Sequence, residues 1–165
     1  MHLYHLHRLI NCLFVRQYVL IFSLFIISYT VDSQSLVIDS LKNNLEYANG
    51  ERKIDVLNAL MEKYICKNDS IAIRYYENVK RLLKLTDYPK GKLTAMKYYG
   101  SMKYCMNDLD SAIFYLKMAA SIGVNHSIKP ETSQLFSKLG FYFQTASELD
   151  SSEYYFHRSL SIGIL

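Results

Sequence analysis

The sequence predicts an all-α protein made of antiparallel helix pairs stacked on one another, and three observations carry that prediction. The first is an internal repeat at forty residues. "DLDSAIFYLKMAASIG", Asp108 to Gly123, returns as "ELDSSEYYFHRSLSIG", Glu148 to Gly163, with seven of sixteen positions identical. A period in this range marks supersecondary units that cannot bury an apolar face alone and stack to do so. The second is spacing. Met96, Tyr99, Met102 and Met106 recur at three and four, as do Ile113, Leu116 and Ala120, which is one stripe on each of two amphipathic helices. The third is punctuation: two prolines and six glycines in 165 residues leave long stretches free to run helical. Half the residues are apolar, enough for one packed domain. A net charge of +4, evenly scattered, argues against a nucleic-acid partner.

The elements are taken in order. Residues 1–33 read as a secretory signal peptide: Arg8 and Arg16 without an acid, then an uncharged run from Tyr18 to Tyr29, then small and polar residues. That run falls short of the roughly 20 residues a spanning helix needs. Val31 and Ser33 stand at −3 and −1 of a cleavage site, which places the cut between Ser33 and Gln34. An uncleaved signal anchor over Leu9 to Val31 is the alternative, disfavoured by Arg16 at depth. Both readings export the rest of the chain, because the positive charges stay inside. The expected location is therefore the periplasm, with the leader as the only membrane element.

Residues 34–50 form an amphipathic helix with Leu36, Leu41, Leu45 and Ala48 on its inner stripe, ended by Gly50. The first unit, 51–88, carries "NDSIAIRYYENVKRLL", slipped by one residue near its turn. The second unit, 89–128, opens at Pro89 and turns through "MNDLDS". There Asn107 takes the left-handed geometry that ends a helix, and Asp108 or Asp110 caps the next. Gly123 is expected to stop its second helix, and Pro130 to start the next. The third unit, 129–165, turns through "SELDS". Small residues fall where partner helices press together: Gly100 and Gly140 on first helices, and Ala72, Ala112 and Ser152 on second ones. Tyr75, Tyr115 and Tyr155 fill the wider gaps.

These residues resemble the tetratricopeptide repeat. "FSKLGFYF" supplies Phe136, Leu139, Gly140 and Phe143, and the second helices supply Ala112, Tyr115, Leu116 and Ala119, then Ser152, Tyr155, Phe156 and Ser159. The first two units match more loosely, through Tyr99, Gly100 and Tyr104 and through Leu60, Tyr64, Ala72, Tyr75 and Tyr76. The closing proline of the motif is missing, and the period is forty rather than about 34. The resemblance covers the chain from about Ser40 and implies a right-handed superhelical α-solenoid of three repeats. The recurring "DSA", "YY" and "SIG" elements also look like exported sensor regions of Bacteroidetes signalling proteins. That resemblance implies a non-catalytic scaffold for protein or peptide binding, as the input portion of a signalling protein or a fragment of one. A membrane-anchored assembly factor with an uncut leader is the alternative function.

No catalytic constellation is present: there is no nucleophile elbow, no phosphate loop and no paired acid–base motif. An enzyme is not expected, and no cofactor is implied. His2, His5 and His7 lie in the leader, and His126 and His157 have no second ligand at helical spacing, so no metal is expected. Cys66 and Cys105 stand near the ends of consecutive first helices and are a candidate disulfide in an oxidising compartment. Two buried free thiols are the other reading. In arrays of this family the first helices line the concave surface. Counted from the repeated glycine, the inward positions are Thr94, Lys97, Ser101, Tyr104 and Cys105, then Gln134, Ser137, Phe141, Gln144 and Thr145. This mixed polar and aromatic wall suits a peptide or another helix. Leu160, Ile162, Ile164 and Leu165 finish the last helix without a polar cap. Self-association there, or a longer protein of which this is the front, is the expectation.

Overall fold

The computed structural model describes residues 35–163. The leader, its cleavage position, and His2, His5 and His7 lie outside the described residues, as do Ile164 and Leu165. Contacts divide the chain after Ser40. Of the first unit, residues 35–40 are described; they are helical, and Leu36 is 68% exposed rather than on a buried stripe. The second unit, from Leu41, holds the rest.

Every regular element among the described residues is a helix. Helix α1 covers 35–47, followed by α2 (Gly50–Tyr64), α3 (Asp69–Leu82), α4 (Pro89–Cys105), α5 (Leu109–Asn125), α6 (Lys129–Thr145) and α7 (Leu149–Gly163). None of the described helices is long and apolar enough to cross a membrane.

Local chemistry explains where the helices start and stop. The Asn68 and Asp108 side chains accept the backbone N–H of Ile71 and Ser111, each at 3.2 Å, satisfying donors that a helix start leaves orphaned. The hydrogen bonds from Ser111, with Lys103 at 3.3 Å, hold the Asp108 carboxyl below its ordinary range. Pro89 and Pro130 sit in the first turns of α4 and α6, where no N–H is missed. Helices α4, α5 and α6 end alike. Asn107, Ser127 and Ser147 are left-handed, at φ 59°, 55° and 62°. The N–H of the following residue reaches back to Lys103, Gly123 and Phe143 respectively, each at 2.9 Å. After α2 the left-handed residue is Cys66, and the connection is one residue longer.

Two expectations about glycines fail here: Gly50 does not end α1, which stops at residue 47, but is the first residue of α2. Gly123 does not stop α5, which continues to Asn125. Gly123 is instead buried where α5 crosses the start of α6: a Cβ on it would overlap the Thr132 side chain and come within 3.0 Å of Leu93. The glycine permits close approach of two helices and does not end one.

The helices pair as antiparallel hairpins. In α4 and α5, Gly100 faces Ala112 and Tyr99 meets the Tyr115 ring edge-on at 4.7 Å. In α6 and α7, Ser133 meets Ser159 while Phe143 stacks on Tyr155 at 5.3 Å. In α2 and α3, Tyr64 stacks on Tyr75 at 5.9 Å. Small residues set the spacing. A Cβ at Gly100 would lie 3.1 Å from the Ala112 carbonyl, and one at Gly140 would lie 2.8 Å from the Phe156 ring. Ala72 and Ala112 are fully buried. Their counterpart Ser152 is buried too, and its hydroxyl donates to the Gly140 carbonyl at 2.9 Å, so its polarity carries no unmet bond.

Two apolar clusters result. Ile54, Leu57, Met61, Val79 and Met102 centre one; Leu93, Leu116, Leu135, Leu139 and Phe143 centre the other. Ile162 packs against the second cluster, whereas Leu160 is 62% exposed. Of the two described residues of the expected uncovered end, one is therefore packed and one exposed.

Candidate interaction face

Successive first helices, α2, α4 and α6, lie side by side and run in the same direction. Between α2 and α4, the Tyr88 hydroxyl donates to the Asp55 carboxylate at 3.1 Å, and Asn58 Nδ2 donates to the Gly91 carbonyl at 3.0 Å. At the far end of this seam Cys66 and Cys105 are joined by a disulfide, with Cα atoms 5.5 Å apart. Both cysteines are exposed, so neither is a buried thiol. Between α4 and α6, Lys90 pairs with Glu131 at 3.1 Å, Lys138 Nζ donates to Ser101 Oγ at 2.9 Å, and Tyr104 stacks on Tyr142 at 4.3 Å. Residue numbers rise together along both seams, which makes the neighbours parallel.

This geometry sorts the sequence-predicted residues. Thr94, Lys97, Ser101 and Tyr104 are half-buried on the α4 side that meets α6, and Gln134, Phe141, Gln144 and Thr145 are exposed on α6. Phe141 is 49% exposed, with its ring 6.1 Å from Tyr104 and 6.0 Å from Tyr142. The Thr145 hydroxyl is turned back onto the Phe141 carbonyl at 3.0 Å. Ser137 points elsewhere: its hydroxyl lies 2.8 Å from that of Ser159 on α7. It belongs to the hairpin seam and not to the shared wall.

Lys138 is the central residue that sequence reasoning missed. Burial pushes its ammonium below the ordinary lysine range, and the nearby positive Lys97 pushes it the same way, while Glu62 on α2 opposes both. Lys97 lies over the Tyr98 ring at 4.7 Å. Tyr98 is itself pushed upward by burial and by the Glu62 carboxylate. Neither lysine has a carboxylate within ion-pair distance among the described residues. Two cations thus share the α4–α6 seam with an exposed aromatic. A signal for Lys138 did exist: it stands seven residues before Thr145 and four after Gln134, on the predicted stripe.

Ser101 with Lys138 has the spacing of a nucleophile and its base. The surroundings do not support that chemistry. Ser101 donates its proton to the Lys97 carbonyl at 2.9 Å, and it sits mid-helix, where neighbouring N–H groups are committed to the helix and none can hold an oxyanion. No group of three His, Cys, Asp or Glu side chains that could hold a metal occurs among the described residues. Comparisons of the chain with protein-family models, with curated proteins and with solved structures find no match.

Proposed function

We propose that this chain is a non-catalytic scaffold, a tetratricopeptide-like α-solenoid of three repeats, that binds a peptide or helix along the wall formed by α4 and α6. The observation that carries the proposal is the wall itself. Parallel first helices present Lys97 and Lys138 without ion-pair partners among the described residues, next to Tyr104 and the exposed Phe141. The cations attract an acidic or C-terminal carboxylate, and the aromatics take an apolar side chain. The contacts along the α4–α6 seam keep this wall rigid, which limits the ordering cost of binding.

Export is part of the proposal. The exposed Cys66–Cys105 bond fits an oxidising compartment, and the leader provides the route. The input portion of a signalling protein is the role that fits an exported binding module. N-terminal sequencing of the mature protein tests the cut at Ser33, and a retained leader would count against it.

Peptides selected from a displayed random library test the wall. Phe141→Ala and Lys97→Ala are each expected to weaken the selected peptides by about tenfold, and Leu85→Ala, an exposed change away from the wall, to leave them unchanged. Selected peptides indifferent to both wall variants would overturn the assignment.

A further inference from the structure

A recess separate from the α4–α6 wall lies between α5 and α7, over α6. It has a volume of about 320 Å³ and is lined by α5 (Lys117, Ala120, Ser121, Val124, Asn125), by α6 (Phe136, Leu139) and by α7 (Tyr155, Arg158). Beneath it Leu139, Phe136 and Ala120 are at most 3% exposed, and Val124 with half-buried Tyr155 supplies its accessible apolar surface. Its rim is cationic, and no acid lines it.

Both cations are held in place by aromatic rings. The Arg158 guanidinium lies 4.4 Å above the Phe136 ring, with Nη1 3.3 Å from the Tyr154 hydroxyl, and Lys117 Nζ lies 4.9 Å from the Phe143 ring. Ring faces attract a cation but leave its N–H groups unbonded. Neither side chain joins an ion pair among the described residues; Arg158 gives one N–H to the Tyr154 hydroxyl, and its other N–H groups and the Lys117 ammonium carry the recess's positive charge. A flat guanidinium with a free edge matches a carboxylate in two-point geometry. The recess between α3 and α4 makes a useful contrast. It is also basic, through Lys80, Lys84 and Lys92, but Lys80 is already paired with Glu77 at 3.2 Å.

We propose that the α5–α7 recess is a binding site for a small carboxylate with an apolar, preferably aromatic, body. The carboxylate sits between Arg158 and Lys117, Ser121 and Asn125 supply neutral donors, and the ring rests on Val124 and Tyr155, the accessible apolar lining. An apolar floor with a few convergent polar groups, at the small end of ligand-pocket volumes, is the usual form of such a site. The site is separate from the α4–α6 wall and does not depend on that wall binding a peptide.

Calorimetric or NMR titration of the full chain with phenylacetate tests it, with phenylacetamide as the uncharged counterpart and inorganic phosphate as the anion without a ring. Phenylacetate is expected to saturate at one site with a Kd of about 1 mM or below, in keeping with its ten heavy atoms. Either other probe should bind at least about tenfold more weakly. Arg158→Gln and Lys117→Gln, on different helices, should each cost about tenfold, with Lys84→Gln as the control that changes nothing; helical circular dichroism verifies that each variant is folded. No saturable binding up to about 20 mM, equal binding of the amide, or full affinity in both folded variants would overturn the site.

Discussion

The Cys66–Cys105 bond gives the most quantitative prediction. It joins residues 39 apart in sequence and ties the α2–α3 hairpin to the end of α4. In the chain-entropy account, a cross-link closing a loop of about 40 residues removes about 13 cal/mol/K from the unfolded chain, or about 4 kcal/mol at room temperature. The native state should survive its loss, because the same seam is also held by Tyr88 to Asp55 and by Asn58 to Gly91. The effect therefore falls on stability and not on fold. With a urea slope of about 2 kcal/mol/M, the midpoint should drop by about 2 M. Urea unfolding followed by circular dichroism, with and without reductant, measures it. The Cys66→Ser/Cys105→Ser double variant should unfold where the reduced protein does and ignore reductant. Two results would refute the reasoning: an oxidised protein whose midpoint reductant leaves in place, or peptides containing Cys66 and Cys105 that alkylate fully before reduction.

Three further predictions concern packing and titration. Gly123→Ala should destabilise by about 2 kcal/mol, because overlap with the buried Thr132 side chain exceeds the gain of about 1 kcal/mol in helix propensity. The loss should shrink clearly in a Thr132→Ala background, and an additive double variant would contradict the contact. Alkaline stability should fall as pH rises from about 10 to about 12. Burial, first of the causes in each case, holds the Tyr76, Tyr88 and Tyr142 hydroxyls up to about 12, so the unfolded chain releases protons that the native state keeps, and the stabilisation present below pH 10 is lost through that window. Lys138, whose ammonium is pushed down, works in the opposite sense and should only blunt the fall; urea midpoints unchanged between pH 9 and 11 would contradict the burial of these tyrosines. Lys138→Met should leave the protein at least as stable in urea, since it removes a desolvated cation, whereas a clear loss would mean that the bond to Ser101 outweighs desolvation.

Particular residues show how far the sequence can be read. The forty-residue phrase and its apolar spacing lead to helix pairs because each helix repeats its stripe three and four residues on, and that period depends on backbone geometry alone. Left-handed Asn107 and the Asp108 cap are legible for the same reason: turn chemistry is local. Gly123 is not. A glycine that ends a helix and a glycine crossed by a neighbour are the same letter near the end of a segment, and they differ only in Thr132 and Leu93 across the interface. Ser137 is misplaced for a similar reason: it is exposed as its helix position predicts, but its hydroxyl partner, Ser159, lies on the next helix and not on the wall.

The cations are the hardest to place, and the reason is physical. Lys97 is placed by sequence on the predicted wall, but Lys138, Lys117 and Arg158 each read in sequence as a solvated face, because a long side chain can reach water from almost any helical position. What distinguishes them is what lies beneath the charge: Tyr98 under Lys97, Phe143 under Lys117, Phe136 under Arg158, and Ser101 beside Lys138. Three of those four partners are aromatic rings, which hold the stem and orient the charge without neutralising it. A carboxylate in the same place would have closed each site. The large share of tyrosine and phenylalanine in this chain thus has a consequence beyond filling gaps between helices: it leaves positive charge positioned, without an ion-pair partner among the described residues, at both of the sites proposed above.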